Sequence, residues 1–222
     1  MDFNRIRVLA LLLLACLASS LSAAPAVSAH FSLESRYLDR GLELADTLVQ
    51  PSIDIFEKGI YAGAVGYYEL DGDFDETNFY AGTYQSLNPL LSLDGGLNGI
   101  WTEGTEDLEA YLGLILEYDL RPALYAYYET DAQIFTLEFN LEKAIPLPRN
   151  LRLDWSLTAG SSWLDAGPEP SYQYLQGFAD LVFPLDPQTD LRMGLRGAVR
   201  SEDLGFSQKS FLGAGVSIGR NF

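Results

Sequence analysis

Apolar and polar residues alternate with a period of two along most of the chain after residue 29. The last segment shows this best, because Leu212, Ala214, Val216, Ile218 and Phe222 share one face, while glycine, serine and asparagine residues occupy the other. A period of two predicts a β-strand with one apolar and one polar face. The same alternation recurs upstream, at residues 60–69, 135–142, 151–158 and 191–200.

The pattern predicts twelve strands joined by two kinds of connection. Short turns, several containing glycine or proline, alternate strictly with acidic and generally longer loops at residues 39–47, 71–76, 103–107, 130–133, 165–170 and 201–206. Tight turns on one side and longer loops on the other are typical of barrels that cross an outer membrane. The predicted strands are residues 30–38, 48–57, 60–70, 78–87, 90–101, 108–119, 122–129, 133–145, 150–164, 171–184, 190–200 and 208–222.

We therefore predict an all-β fold, an antiparallel up-and-down transmembrane β-barrel of about 12 strands, enough to span the bilayer when each strand is tilted. An even strand count places both termini on the periplasmic side. Large aromatic residues near the strand ends, such as Tyr37, Trp101, Trp163, Tyr172 and Phe222, are expected in the girdles at the two membrane interfaces. The alternative is ordinary aromatic packing in a soluble core.

The first 29 residues have the three parts of a secretory signal peptide. Arg5 and Arg7 precede an apolar run at residues 8–17, and small residues follow it. Cleavage after Ala26 or after Ala29 satisfies the small-residue rule, and we favour Ala29 because the alternation begins directly after it. The predicted division is a signal peptide at residues 1–29 and a barrel domain of a Gram-negative-type outer membrane at residues 30–222.

Charge and cysteine content restrict the function further. The net charge is −17 for the whole chain, and removal of Asp2, Arg5 and Arg7 with the signal peptide leaves it still more acidic. A surface this acidic repels nucleic acid. Cys16 is the one cysteine and would leave with the signal peptide, so we expect neither disulfides nor thiolate chemistry in the mature protein.

Two segments resemble known outer-membrane sequences. The final strand, with Val216, Ile218 and a terminal Phe222, resembles the carboxy-terminal signal that the barrel assembly machinery recognises. At the other end, the runs at 35–41 (Ser-Arg-Tyr-Leu-Asp-Arg-Gly) and 59–63 (Gly-Ile-Tyr-Ala-Gly), with Gln50-Pro51 between them, resemble the opening of the TorF-type porin family. The resemblance covers residues 33–68, and it departs from the family at Gly66-Tyr67-Tyr68. It implies an outer-membrane barrel of channel type.

A set of charged residues falls on the predicted inner face of the barrel. Arg192, Arg196 and Arg200 are two and four residues apart on one strand, so they share a face. Acidic residues on the inward register of other strands oppose them, namely Glu109, Glu117, Glu138, Glu142, Asp154 and Asp180. These charges would form either a constriction that selects solutes by sign or a set of neutralising pairs that holds the barrel in shape. The sequence leaves both readings open.

Candidate chemistry is sparse. Asp71, Asp73 and Asp75 present alternating acidic oxygens of the kind that hold Ca²⁺, although the acid and glycine that complete a helix-loop-helix site are missing. We favour a solvated acidic loop. The one histidine, His30, is expected at a frayed end, where it makes a poor general base. We therefore predict that the protein is not an enzyme and needs no cofactor.

These observations favour a monomeric outer-membrane barrel that acts as a small passive channel for hydrophilic solutes. Its partners would be outer-membrane lipid, the assembly machinery and those solutes. Two alternatives remain from the sequence, a non-conducting barrel that serves as a scaffold or surface-binding protein, and a soluble periplasmic barrel that carries a small ligand.

Overall fold

The computed structural model describes residues 25–102, 104–164, 171–202 and 209–222. Twelve of the described strands close an antiparallel barrel in which strands adjacent in the wall follow one another along the chain. These strands are β1 (Ala26–Glu34), β4 (Leu48–Glu57), β5 (Ile60–Glu69), β6 (Asp75–Asn88), β7 (Leu91–Thr102), β8 (Thr105–Leu116), β9 (Ala123–Glu129), β10 (Ile134–Pro146), β11 (Arg152–Trp163), β12 (Tyr172–Asp186), β13 (Thr189–Arg200) and β14 (Ser210–Asn221). A 3₁₀ turn, Pro148–Asn150, joins β10 to β11.

The first and last strands complete the wall. β1 pairs with β4 on one side and with β14 on the other, with Leu33 opposite Val216 in the second pairing. The Phe222 backbone N–H donates to the Val27 carbonyl at 2.8 Å, which extends the ladder to the end of the chain. The predicted closed antiparallel barrel of twelve strands is confirmed, and each predicted strand overlaps one strand of the wall.

The alternation of the sequence becomes two faces of the wall. Leucine, phenylalanine and valine side chains stand on the outer face, and several are more than half exposed, such as Leu212 at 69 % and Leu195 at 55 %. Their neighbours in the chain, such as Gly213 and Arg196, are less exposed. Because successive side chains of a strand point to opposite faces, the polar positions line the interior. Among the described residues, no helix is long and apolar enough to cross a membrane.

The segment between β1 and β4 departs from the prediction. Glu34 pairs directly with Leu48 across these two strands, so the chain between them leaves the wall, and only its end residues, Ser35 and Thr47, keep backbone hydrogen bonds to it. This segment forms a second, two-stranded sheet of β2 (Tyr37–Asp39) and β3 (Leu42–Ala45). We call residues 35–47 the inner hairpin, because it contacts the inner face of opposite walls, as described below. The predicted exposed loop at 39–47, and the interfacial position predicted for Tyr37, are therefore wrong.

The predicted signal peptide lies almost entirely outside the described residues. Its end does not: β1 begins at Ala26, upstream of the cleavage site favoured from the sequence, and Ala29 is paired with Arg220 and Ile53. His30 is likewise not at a frayed end, since it lies within β1 between Ser52 and Gly219. The two acidic loops at 165–170 and, except for its first two residues, at 201–206 lie outside the described part of the chain.

Candidate functional site

One half of the barrel interior is built from tyrosines that lie across glycines. Tyr61, Tyr80, Tyr111, Tyr125 and Tyr127 project inward from β5, β6, β8 and β9, and we call this set the tyrosine wall. Four of these rings cover the glycine of a neighbouring strand, where any Cβ would clash with the ring or its hydroxyl; these glycines are Gly63, Gly82, Gly96 and Gly113. The missing side chains let the rings lie flat against the wall.

Two aspartates tie the tyrosine hydroxyls together. Asp94 on β7 accepts hydrogen bonds from Tyr61 at 2.6 Å and from Tyr125 at 2.9 Å, and the Tyr61 and Tyr111 hydroxyls are 2.6 Å apart. Tyr80 donates to Asp54 on β4. The hydroxyl protons of Tyr61, Tyr80 and Tyr125 are thus directed at carboxylates, and that of Tyr111 at the Tyr61 oxygen. The carboxylate lone pairs that these bonds leave over can accept further hydrogen bonds.

The other half carries the predicted arginines. Arg196 donates to Asp180 at 2.5 Å and reaches Glu34 at 3.5 Å. Arg192 lies 3.4 Å from Asp154, which also accepts two hydrogen bonds from Arg152. Arg196 is therefore paired with an acid of the adjacent strand β12 and Arg192 with an acid of β11, two strands away, as expected if the charges neutralise one another.

Arg200 and the remaining predicted acids have separate partners. Arg200 donates to the Glu202 carbonyl at 2.8 Å and to the Gly41 carbonyl of the inner hairpin at 3.4 Å. Glu138 accepts from Tyr174. Glu117 and Glu142 share Arg121 at the turn end of the barrel, where Tyr84 also donates to Glu117. The hydrogen bonds that Glu117 accepts, most of all the one from Tyr84, lower the pKa of Glu117.

The ninth predicted residue, Glu109, holds the inner hairpin. Arg40 at the tip of the hairpin contacts Glu109, lies 2.5 Å from Glu129, and packs 4.5 Å above the Tyr127 ring. Its side chain is only 13 % exposed. Burial lowers the pKa of Arg40, but the carboxylates of Asp39, Glu109 and Glu129 outweigh burial and raise that pKa well above its usual value. Arg40 therefore stays charged inside the barrel.

The opposite side of the hairpin touches the far wall. The Gly41 N–H donates to Gln176 of β12 at 2.9 Å. Gly41 has φ +75, and a Cβ there would clash with Tyr174, so only glycine fits this turn. Tyr37 stacks on Tyr67 of β5 with ring centroids 4.3 Å apart. Contacts to β5, β8, β9 and β12 from one short hairpin place it across the interior.

Two cavities flank this hairpin. The larger, of about 620 Å³, is bounded by the tyrosine wall with Asp54, Asp94 and Glu109. The smaller, of about 290 Å³, lies between the hairpin residues 36–39 and the arginine side, with Glu34, Phe178 and Arg196 among its lining residues. Tyr67 lines both. The barrel interior is thus narrowed by the hairpin and not filled.

The three aspartates of the acidic loop lie on the surface of the barrel. Asp71, Asp73 and Asp75 are all exposed, and the described residues contain no group of three His, Cys, Asp or Glu side chains that could hold a metal ion. The interpretation as a solvated loop fits this geometry. The residues of the predicted assembly signal lie on the outer face, with exposures of 37 % for Val216, 44 % for Ile218 and 68 % for Phe222.

The sequence reading missed Arg40, Glu129, Asp54 and Asp94. The sequence does carry a signal for the tight turn at Arg40, because the glycine that follows is common where a turn needs positive φ, and Arg40 and Gly41 both adopt positive φ in the structure. The tyrosine wall was hidden because β9 carries tyrosines on both faces, with Tyr125 and Tyr127 inward and Tyr128 outward, and because the inward Tyr80 of β6 directly follows the outward Phe79. Four of the five tyrosines of this set face a glycine on a neighbouring strand.

Comparisons with known proteins identify the fold but not a sequence family. No protein-family model matches the chain, and no curated protein matches its sequence. The KdgM porin superposes with a TM-score of 0.59 at 11 % identity, over 89 % of this chain and 99 % of that one. The NanC porin gives 0.58 at 8 % identity, over 90 % and 100 %. Outer membrane protein Omp33 of Acinetobacter baumannii gives 0.50 at 8 %, over 89 % and 98 %. The chain therefore has the barrel fold of porins.

Proposed function

We propose that this protein is an integral outer-membrane barrel that acts as a passive channel for small hydrophilic solutes, narrowed by its inner hairpin. The observation that carries the proposal is the two-faced wall. Its outer face is apolar and exposed, as contact with lipid requires, while its interior holds charged and hydroxyl groups around two cavities. An interior of this polarity suits water and hydrophilic solutes.

Two further points support the proposal. The fold matches porins over nearly their whole length, and the KdgM porin has also been solved in complex with disordered oligogalacturonate. The runs at 35–41 and 59–63 resemble the TorF-type porins, and the first of them is the segment that forms the inner hairpin. Both termini and the short turns would lie on the periplasmic side.

The test is conductance. Purified full-length mature protein, incorporated into planar bilayers, should give discrete current steps, and the step size should change in Arg196→Glu, which reverses a charge beside the smaller cavity. Heat-modifiable migration on gels checks that the variant is folded. Absence of steps at high protein load would overturn the channel function.

The inner hairpin also supports a second candidate, a barrel closed at rest that serves as a scaffold or surface-binding protein. The two candidates separate in one comparison. If the native protein is silent but a variant without the hairpin conducts, the native barrel is closed; if both conduct, it is a channel.

A further inference from the structure

The larger cavity combines features that point to one class of ligand. Three carboxylates, of Asp54, Asp94 and Glu109, and the rings of the tyrosine wall line it, and none of the described lining residues is a lysine, arginine or histidine. Arg40 of the hairpin reaches one edge of the cavity, where it pairs with Glu109, and Arg192 and Arg196 lie on the arginine side. A space bounded by carboxylates and ring faces attracts cations and repels anions.

The hydrogen-bonding groups of the cavity also favour a ligand with donors, because acceptors in the lining are left without partners. Asp94 and Asp54 retain lone pairs beyond those used by the tyrosine hydroxyls. Asn78 lines the cavity and is only 7 % exposed. Its Nδ2 donates to Glu76, while its Oδ1 has no hydrogen-bond partner among the described residues. The Oδ1 of Asn98, on the same lining, is also unpartnered. A buried acceptor without a partner is unfavourable. A ligand that brings hydrogen-bond donors into the cavity would therefore be stabilised there.

At one edge of this cavity, the lining already binds a cation that belongs to the protein itself. Glu109 and Tyr127, which line the cavity, hold the Arg40 guanidinium through an ion pair and a ring face. Arg40 shows that carboxylates and a tyrosine ring in this wall accept a buried organic cation. Asp54 and Asp94 offer the same pair of groups farther along the wall, and the described residues that line the cavity include no basic residue to pair with them.

We propose that this cavity is a binding site for small organic cations that carry several N–H donors, such as primary amines. Asp94 and Asp54 would pair with the ammonium groups, the tyrosine rings would contact the aliphatic part, and the Asn78 and Asn98 carbonyls would accept the remaining protons. The proposal rests on the proposed function only in that the ligand would be a solute of the channel. It makes Asp54 and Asp94 determinants of solute preference.

Calorimetric titration of the folded, full-length mature barrel in neutral detergent tests this site directly. Diaminobutane is the probe, and butanediol, which has the same carbon chain without charge, is its matched control. Diaminobutane should bind and butanediol should not. Asp94→Asn and Asp54→Asn, which keep the shape of the side chain, should each weaken diaminobutane binding about tenfold through loss of one charge-assisted contact.

Asp154→Asn is the control variant, because Asp154 lies on the arginine side and does not line the cavity; it should bind diaminobutane as the native protein does. Equal binding of butanediol, unchanged binding in both Asp94→Asn and Asp54→Asn, or tighter binding of succinate than of diaminobutane would overturn the site. Titration requires no current, so binding without conductance would overturn the channel and leave the cation site. Conductance without binding would do the reverse.

Discussion

Arg40 links the inner hairpin to the barrel through charges that have little water around them. Its partners Glu109 and Glu129 have side-chain exposures of 6 % and 17 %. Breaking a buried pair by removing one member costs more than the pair contributes, since the remaining charge is left uncompensated. Removal of the Arg40 side chain would leave two carboxylates, those of Glu109 and Glu129 on neighbouring strands, without their cation.

We expect Arg40→Met to destabilise the folded barrel by roughly 1–3 kcal/mol, less than for a pair in a dry core because water reaches the lumen. Urea unfolding in lipid vesicles measures it. The double variant Arg40→Met/Glu109→Gln should lose less than the sum of the two single variants, since the second change removes a stranded charge. Additive losses would show that the ion pair does not hold the hairpin.

Glycines of the tyrosine wall should tolerate substitution poorly. A Cβ at Gly96 would lie 2.5 Å from both the Tyr111 hydroxyl and the Ala81 carbonyl, whereas a Cβ at Gly197 on β13 meets the Phe211 carbonyl at 3.4 Å. Gly96→Ala should therefore lower the free energy of unfolding by about 1–3 kcal/mol through overpacking. Gly197→Ala is the matched control and should change it by less than about 0.5 kcal/mol. Equal effects in the two variants would contradict the tyrosine–glycine packing.

At the scale of elements, the strands of the wall follow from the sequence and the inner hairpin does not. In each wall strand, apolar residues face outward and polar residues face inward, so the alternation with a period of two predicts the strand from the sequence. The hairpin obeys no such rule, because it is held by contacts between residues far apart in the chain, such as Arg40 with Glu109 and Gly41 with Gln176. Its acidic composition resembled that of the solvated loops.

The hairpin can be replaced while the pairing of β1 with β4 is kept. Because Glu34 and Leu48 are directly paired, replacing residues 35–47 by Asn-Gly should join β1 and β4 through a tight two-residue turn. The barrel should still fold, as shown by heat-modifiable migration, and its single-channel conductance should increase because the interior is no longer crossed.

Shortening the exposed loop at residues 71–73 provides the matched control and should leave the conductance unchanged. An unchanged conductance after removal of the hairpin, in a folded barrel, would show that the hairpin does not set the width of the path.

At the scale of the whole molecule, the barrel brings together charges that the sequence keeps apart. The inward registers of Arg192, Arg196 and Asp180 followed from alternation alone. Which acid meets which arginine depends on strand stagger, which periodicity does not encode, and the separation into a tyrosine wall and an arginine side emerges only when the sheet closes. The candidate channel was therefore predictable as a class, whereas its cation-preferring cavity required the register between strands.

Barrel closure also bears on how the mature chain begins. Cleavage after Ala29 would remove the four residues that open β1, including Val27, whose carbonyl accepts the N–H of Phe222. The ends of β4 and β14 would then face lipid with unpaired backbone groups, each costing several kcal/mol in hydrocarbon. Cleavage after Ala26 retains nearly the whole strand.

We therefore expect the mature protein to begin at Val27, and intact-mass measurement of the protein extracted from outer membranes checks this. As a second measurement, a chain expressed from His30 and refolded in vesicles should unfold at lower urea concentration than one expressed from Val27, because it lacks the partners of Phe222 and Ile55. A native mass that begins at His30, together with equal stability of the two chains, would show that the start of β1 contributes nothing to closure.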